Sequence, residues 1–418
     1  MLEQMGIKAK NASKILALTP TEQKDRFLTK LSDSLWNDRE EILLANAQDV
    51  AQAKADGLSD AMVDRLTVTE NRLKGIIADL QNVLQANDPV GKTFDHSNQP
   101  NGLTLHKQRV PLGVIAVIYE SRPNVTIDTA SLAIKSGNAV ILRGGKETIN
   151  TNRVLVKSIQ KALIETDLPV DSVQFIDSPD RALVFELLKL HQFVDMVIPR
   201  GGAKLHQICR ENSSIPVITG GIGICHLFVD ETANQAASLE IIRNAKIQRP
   251  TVCNALDTVL LHENIATGFL PKLISLLNKD GVLFHVDQKL FDIAQIPSDS
   301  VVLPAKPEDF DIEWLSLNLS VMSVSGVDEA VQHIQNHSTG HSDGILTETI
   351  ENANLFIHAV DSAVVYVNAS TRFTDGSQMG LGSEVAISTQ RLHARGPMGL
   401  EELTTYKWVA KGDYLIRK

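Results

Sequence analysis

The 418-residue chain reads as an α/β protein built on parallel sheets, and three observations lead there. Short, continuous apolar runs alternate with helical segments along most of its length. Glycine–cation clusters stand at the ends of several of those runs. The chain is also longer than one ordinary core accommodates, so two or three domains are expected. Unbroken apolar strands suit a sheet covered on both faces, and such sheets bind ligands beyond the carboxyl ends of their strands. With 43% hydrophobic and 22% charged residues, the composition is that of a soluble globular protein. A formal net charge of −10 argues against nucleic-acid binding, which calls for a basic face. It leaves small anionic ligands open, because a few local arginines suffice for those.

The first ninety or so residues are expected to be helical. Thr19-Pro20-Thr21-Glu22 reads as a capping box with proline at the first helical position, followed by Phe27, Leu28, Leu31 and Leu35 at helical spacing. The pattern continues over 40–55 and 61–84. Residues 92–109 are polar and turn-rich between β-prone flanks, which fits a protruding hairpin suited to pairing with another chain, or equally a floppy surface loop. Strands are then predicted at 112–119, 139–142, 173–176, 194–198 and 215–218, with helices near 127–136, 149–165, 180–190 and 203–211. A second alternating segment begins at Leu227, with helices near 232–247, 265–278 and 327–337 and strands at 258–262, 319–324 and 364–367. The tail from Thr404 to Arg417 is β-prone.

Cys209, Cys225 and Cys253 form no CxxC pair and are too sparse for a disulfide framework, which fits a reducing compartment. Met1 to Lys10 holds no apolar run resembling a signal peptide, and no segment approaches a membrane span, so a cytoplasmic protein is expected.

Three strand-to-helix junctions carry the marks of an anion site: Arg143-Gly144-Gly145-Lys146, Arg200-Gly201-Gly202 and Thr219-Gly220-Gly221. Glycine lets main-chain N–H groups approach a phosphate, and a helix N-terminus adds a favourable dipole. Three such junctions in one sheet point to a dinucleotide, although none is a GxGxxG fingerprint. Cys253 stands in Gln248-Arg249-Pro250-Thr251-Val252-Cys253-Asn254-Ala255, at the mouth of a predicted strand and four residues after an arginine. Partial exposure and nearby positive charge are what make a thiol nucleophilic. His333, His337 and His341 are spaced by four, but no Cys or carboxylate cluster completes a ligand set, so no metal is expected.

Leu112-Gly113-Val114-Ile115, Gly137-Asn138-Ala139-Val140-Ile141-Leu142-Arg143, the cysteine before a strand, and Val365-Tyr366-Val367-Asn368 occur in that order. In this the chain resembles the aldehyde dehydrogenase superfamily. Glu120-Ser121-Arg122-Pro123-Asn124-Val125-Thr126, Cys253-Asn254-Ala255, Asn368-Ala369-Ser370-Thr371-Arg372-Phe373-Thr374-Asp375-Gly376 and His393-Ala394-Arg395-Gly396-Pro397-Met398 are similar to one branch, the γ-glutamyl phosphate reductases of proline biosynthesis. The resemblance spans nearly the whole chain. It implies two parallel-sheet α/β domains plus a small β oligomerisation arm. The dinucleotide domain would comprise 1–91 and 111–226, the catalytic domain 227–365, a return segment 366–395, and the arm 92–110 with 396–418.

The same resemblance implies NADPH-dependent reduction of L-glutamyl 5-phosphate to the semialdehyde through a thioester on Cys253. Hydrolytic relatives carry a glutamate where this chain has Ile218, so the thioester would be spared from water. Arg143 and Lys146 stand where NAD-using relatives often have a lysine and a glutamate, and two cations favour a ribose 2′-phosphate. Arg200, Gly201, Gly202, Gly220 and Gly221 would complete the cofactor site, and Glu313 would hold the nicotinamide ribose. Asn124 is the expected oxyanion donor, whereas counting back from Gly137 without a gap selects Glu120 instead. Arg122, Arg249 and Arg372 are the expected binders of the anionic substrate, and a substrate-side role is open to His341. A homodimer or larger homo-oligomer follows from the arm, and transient contact with a glutamate 5-kinase is compatible with the reading.

Overall fold

The computed structural model describes residues 1–220, 222–293, 295 and 301–417. The chain forms two compact units, one from Met1–Thr219 with Gly380–Ile387 and Pro397–Lys418, the other from Gly220–Met379 with Ser388–Gly396.

Unit one opens with five helices: α1 (Leu2–Leu16), α2 (Thr21–Asn37), α3 (Arg39–Ala55), α4 (Asp60–Leu66) and α5 (Glu70–Gln85). The expected capping box does not form. Pro20 is the N-cap of α2 and no side chain caps it. Thr19 Oγ1 donates back to the Ile15 carbonyl at 3.0 Å, and Thr21 Oγ1 donates to Asp88 at 2.9 Å. The helix expected over 61–84 is two helices, because Thr69 accepts from the Arg72 N–H and starts α5 afresh.

The predicted hairpin is β1 (Thr93–Asn98) and β2 (Thr104–Pro111), antiparallel to one another. A parallel sheet follows: β3 (Val114–Tyr119), α6 (Asn124–Lys135), β4 (Ala139–Gly144), α7 (Ile149–Glu165), β5 (Val173–Phe175), α8 (Ala182–Leu187), β6 (Met196–Arg200) and α9 (Ala203–Asn212). The strand order is β5-β4-β3-β6. β3 and β4 are buried along their whole length, as two covered faces demand. Tyr119 lies opposite Gly144 on one side and Arg200 on the other. Three carboxyl ends therefore finish level, and the loops after them share one edge. The fifth predicted strand, 215–218, is reduced to a single bridge between Val217 and Val197.

Unit two contains β7 (Cys225–Val229), α10 (Gln235–Ile247), β8 (Leu256–His262), α11 (Glu263–Leu277), β9 (Leu283–Val286), α12 (Gln288–Ile293), β10 (Val302–Pro304), β11 (Asn318–Val324), α13 (Val327–His337), β12 (Ser342–Leu346), α14 (Ile350–Ala359) and β13 (Val364–Val367). Its seven-stranded sheet runs β10-β9-β11-β8-β7-β12-β13, and its pairs are parallel. Apolar residues of β7, β8, β9, β11 and α11 pack as one cluster on one face, and Phe228, Leu260, Ile334, Ile345 and Phe356 belong to a second cluster.

Two short strands, β14 (Ala386–Ser388) and β15 (Gly396–Met398), pair with each other. The β-prone tail forms β16 (Thr404–Lys411), which pairs antiparallel with β2 from Thr404–Pro111 to Lys411–Thr104. β16 thus completes a three-stranded arm in unit one. On it the Lys107 ammonium lies 4.6 Å from the Tyr406 ring and 5.0 Å from that of Trp408.

Candidate active site

In unit one two of the three level strand ends, those of β4 and β6, carry the expected glycines, and the surrounding side chains shape their loops. The Glu147 carboxylate accepts from the Ser121 N–H at 2.6 Å and from its hydroxyl at 2.8 Å. It thereby holds Ser121 in a left-handed conformation, φ 47°, which few non-glycine residues adopt without such support. The Glu120 carboxylate accepts from the Gly202 N–H at 3.2 Å.

Arg143 is buried, and its guanidinium donates to the carbonyls of Gly144 at 2.9 Å and Pro179 at 3.2 Å. Burial lowers its pKa, with Glu147 opposing the shift. This arginine fastens one loop to another and does not project from the strand end as expected. Lys146 does project. Its side chain is 66% exposed and meets Asp56 at 3.3 Å.

These features fit a dinucleotide. No side chain caps α9, and a Cβ on Gly202 at its start would meet open space. Arg200 keeps a buried Nε without a hydrogen-bond partner. Helix N–H groups without a side-chain cap of their own, beside a cation, are the kind of arrangement that can bind a phosphate. Gly220 stands at the third junction, and Gly221 lies outside the described residues. Ile218, in the place of the hydrolytic glutamate, is buried at 3% exposure and offers no base.

Asn124 opens α6, and its Nδ2 donates to Asp128 at 2.8 Å. Burial pushes the Asp128 carboxyl up to about 7, with the Asn124 hydrogen bond opposing. One amide proton of Asn124 is thus committed while the other can serve an oxyanion. Arg122 occupies the preceding loop.

In unit two the nucleophile candidate lies in the turn between α10 and β8, half-buried. The turn is closed by an Ala255 N–H to Val252 carbonyl bond of 3.0 Å. It enters β8 beside the start of β7, since Cys225 is opposite Leu256. Gly223 packs so closely against this turn that a Cβ on it would fall onto the Cys253 carbonyl oxygen. The buried Cys225 thiol donates to the same oxygen at 3.3 Å. Burial, followed by the charge of Asp257, raises the Cys225 thiol well above its ordinary pKa, which makes it a donor and not a nucleophile. Cys209, inside α9, is pushed up to about 12, chiefly by burial.

The segment after β13 clamps the turn from the far side. Asn254 Nδ2 donates to the Thr374 carbonyl at 2.9 Å, and Thr371 Oγ1 donates to the Asn254 carbonyl at 2.7 Å. Thr374 Oγ1 meets both Tyr366 OH at 2.7 Å and Ser342 Oγ at 2.6 Å, and Ser342 in turn meets His341 Nδ1 at 2.8 Å. His341 therefore belongs to the scaffold of this turn. The two histidines that share its four-residue spacing, His333 and His337, sit ring to ring, 4.4 Å between centroids, beside Phe310.

The clamp carries Arg372, whose Nε donates to Gln248 at 3.0 Å. Burial lowers the Arg372 pKa, the Arg249 charge lowers it further, and Asp375 and the Cys253 thiol act in the opposite direction. Arg372 is thus within electrostatic reach of both Arg249 and the thiol group. Glu313 accepts from the Gly223 N–H at 2.9 Å, so this carboxylate orients the segment before β7 that presses on the Cys253 carbonyl. Sequence reasoning gave no role of their own to Gly223, Thr371, Thr374, Glu147 and Asp128, although Thr371 and Thr374 lie in a family-like segment and Gly223 is a third glycine within four residues.

The aldehyde dehydrogenase family model matches residues 2–285. A gamma-glutamyl phosphate reductase from Cronobacter sakazakii is 56% identical over 417 residues, covering 100% of both chains. The crystal structure of gamma-glutamyl phosphate reductase from Thermotoga maritima superposes with a TM-score of 0.95 at 45% identity, covering 99% of each chain. An acetylating aldehyde dehydrogenase from Geobacillus thermoglucosidasius shares the fold, with a TM-score of 0.72 at 20% identity, covering 99% of this chain and 97% of that one. The chain belongs to the aldehyde dehydrogenase family, in its γ-glutamyl phosphate reductase branch.

Proposed function

We propose that the protein reduces L-glutamyl 5-phosphate to L-glutamate 5-semialdehyde and phosphate, with NADPH as reductant, in proline biosynthesis from glutamate. The observation that carries the reading is the setting of Cys253: a half-buried thiol within electrostatic reach of Arg372, which Arg249 in turn influences, its carbonyl held by Gly223 and Cys225, on a chain with Ile218 in place of the hydrolytic glutamate.

The Cys253 thiolate attacks the acyl carbonyl carbon. The C–O bond to phosphate breaks and a thioester remains. Arg249 and Arg372 compensate the substrate phosphate and favour the thiolate, and Arg122 is a third candidate for the substrate's anionic groups. Bound nicotinamide supplies the hydride. The Cys253 N–H meets the oxyanion that develops at the carbonyl, and the role of side-chain donor is assigned to Asn124, which Asp128 holds. The resulting hemithioacetal collapses to the aldehyde and returns the thiolate.

Unit one is the dinucleotide unit and unit two the catalytic one. The nicotinamide cofactor suits the family. The preference for NADPH is assigned to Lys146, because Arg143 spends its guanidinium on carbonyls. Arg200, Gly201, Gly202, Gly220 and Gly221 take the phosphates, and Glu313 the nicotinamide ribose. The three-stranded arm supports a homo-oligomer through its exposed aromatic residues Tyr406 and Trp408. Among the described residues no helix is long and apolar enough to cross a membrane. Work in the cytoplasm beside a glutamate 5-kinase completes the reading.

The test is oxidation of glutamate semialdehyde by NADP⁺ in the reverse direction. The rate should depend on inorganic phosphate, and Cys253→Ala should lose roughly 10⁴-fold or more. Dependence on coenzyme A with indifference to phosphate would sink the proposal.

A further inference from the structure

A buried ion pair stands behind the nucleophile turn, and the mechanism above gives it no part. Lys246, in the last turn of α10, is 0% exposed, and Asp257, the second residue of β8, is 2% exposed. Their charged atoms are 3.8 Å apart. Lys246 Nζ also donates to the Leu256 carbonyl at 2.7 Å. The ammonium thus joins the residue that precedes the nucleophile segment to the residues that follow it. The loop carrying Arg249 and Cys253 is closed at its base.

Asp257 extends the arrangement to the surrounding main chain. Its Oδ1 accepts from the Trp314 N–H at 3.0 Å, and its Oδ2 from the Cys225 N–H at 3.4 Å. Trp314 follows Glu313, whose carboxylate holds the Gly223 N–H. Gly223 and the Cys225 thiol both press on the Cys253 carbonyl. One carboxylate therefore sets the relative depth of the segments that fix the nucleophile's backbone.

We propose that Lys246 and Asp257 are positioning residues for Cys253, stapling the two ends of segment 247–255 and tying to it the main chain around residues 223–225 and 313–314. The proposal rests on the reading of Cys253 as the nucleophile. A buried pair is costly to desolvate, and an apolar pair of similar volume often replaces one without loss of stability. Charge compensation alone would therefore be met equally well by two apolar residues. Positioning would not, because an apolar pair cannot hold the Leu256 carbonyl and the two N–H groups. Misplacement of a reacting group by about 1 Å costs on the order of 10²-fold in rate.

Those two roles separate in the double variant Lys246→Met/Asp257→Leu, made in the full chain, with Lys246→Met alone as the case that leaves a buried charge uncompensated. Thermal melting reports the fold. The readouts are kcat and KM in the phosphate-dependent reverse assay and the rate of Cys253 carbamidomethylation by iodoacetamide, located by peptide mass. The folded double variant should lose at least about tenfold in kcat with KM within about threefold. Its Cys253 alkylation rate should fall as well, since the loosened turn no longer holds the thiol within reach of Arg372. Wild-type values for either kcat or alkylation overturn the proposal. Should the double variant not fold, Asp257→Asn, which keeps the shape and one acceptor, is read by the same two criteria. Alkylation needs neither acyl phosphate nor nicotinamide, so failure of the proposed reaction and failure of the staple give different results.

Discussion

The strand ends of unit one and the mouth of β8 in unit two divide labour between side chain and main chain in opposite ways. In unit one, Arg143, Glu147 and Glu120 are occupied with main-chain groups of neighbouring loops. Glycine backbone, an uncapped helix start and the exposed Lys146 are left for a ligand. In unit two the main chain is the part that is held, with the Cys253 carbonyl pressed by Gly223 and Cys225 and Asn254 clamped by Thr371 and Thr374. The proposed reaction there draws on side chains, the thiol and two guanidinium groups. Anion binding by backbone tolerates small shifts, because several N–H groups share the load. A single attacking atom does not.

That contrast can be broken most sharply at glycines. Gly223→Ala drives a methyl group into a main-chain oxygen, which cannot yield without moving the nucleophile turn. The expected outcome is a kcat loss on the order of 10²-fold with the secondary structure retained, measured by steady-state kinetics beside circular dichroism. A kcat within a factor of two would show that the turn is not rigidly held.

Lys146→Glu addresses the ligand side of unit one. The KM for NADPH should rise about tenfold while that for NADH stays within about twofold, since only the former carries a 2′-phosphate. Equal losses for both would show that Lys146 does not meet that group. The Asp56 partner changes this little, as exposed ion pairs are worth about 0–1 kcal/mol.

Gly201→Ala should be the mildest of the three. The added methyl meets the end of the Glu120 side chain and Leu205 Cδ2, both of which can swing away. A rise of about threefold in cofactor KM with unchanged kcat is expected from initial-rate measurements. If it instead matched Gly223→Ala, the two regions would be equally rigid.

Legibility in the sequence followed the same division. The level strands β3, β4 and β6 are unbroken apolar runs, so the sheet and its glycine junctions were visible from pattern alone. β12 was not. It reads Ser342-Asp343-Gly344-Ile345-Leu346, and its polar residues are buried because Asp343 accepts from the His226 N–H and from Ser338. No periodicity announces such a strand. Cys253, Arg249 and Arg372 were named because residue type and motif suffice for a nucleophile and for cations. The inward turn of Arg143 was hidden, since its carbonyl partners at Pro179 and Asp180 lie 36 and 37 residues on. The grip of Thr371 and Thr374 on Asn254 spans 117 and 120 residues, beyond any local signal.

The pairing of β2 with β16 joins Thr104 to Lys411, 307 residues apart. At a synthesis rate of roughly 5–20 residues per second, the two strands leave the ribosome on the order of 15–60 s apart. During that interval β2 has β1 on one side and an open edge on the other, the kind of edge that pairs with foreign strands. The arm's two neighbours in space are thus distant in time, and the growing chain must keep that edge from other partners until β16 arrives.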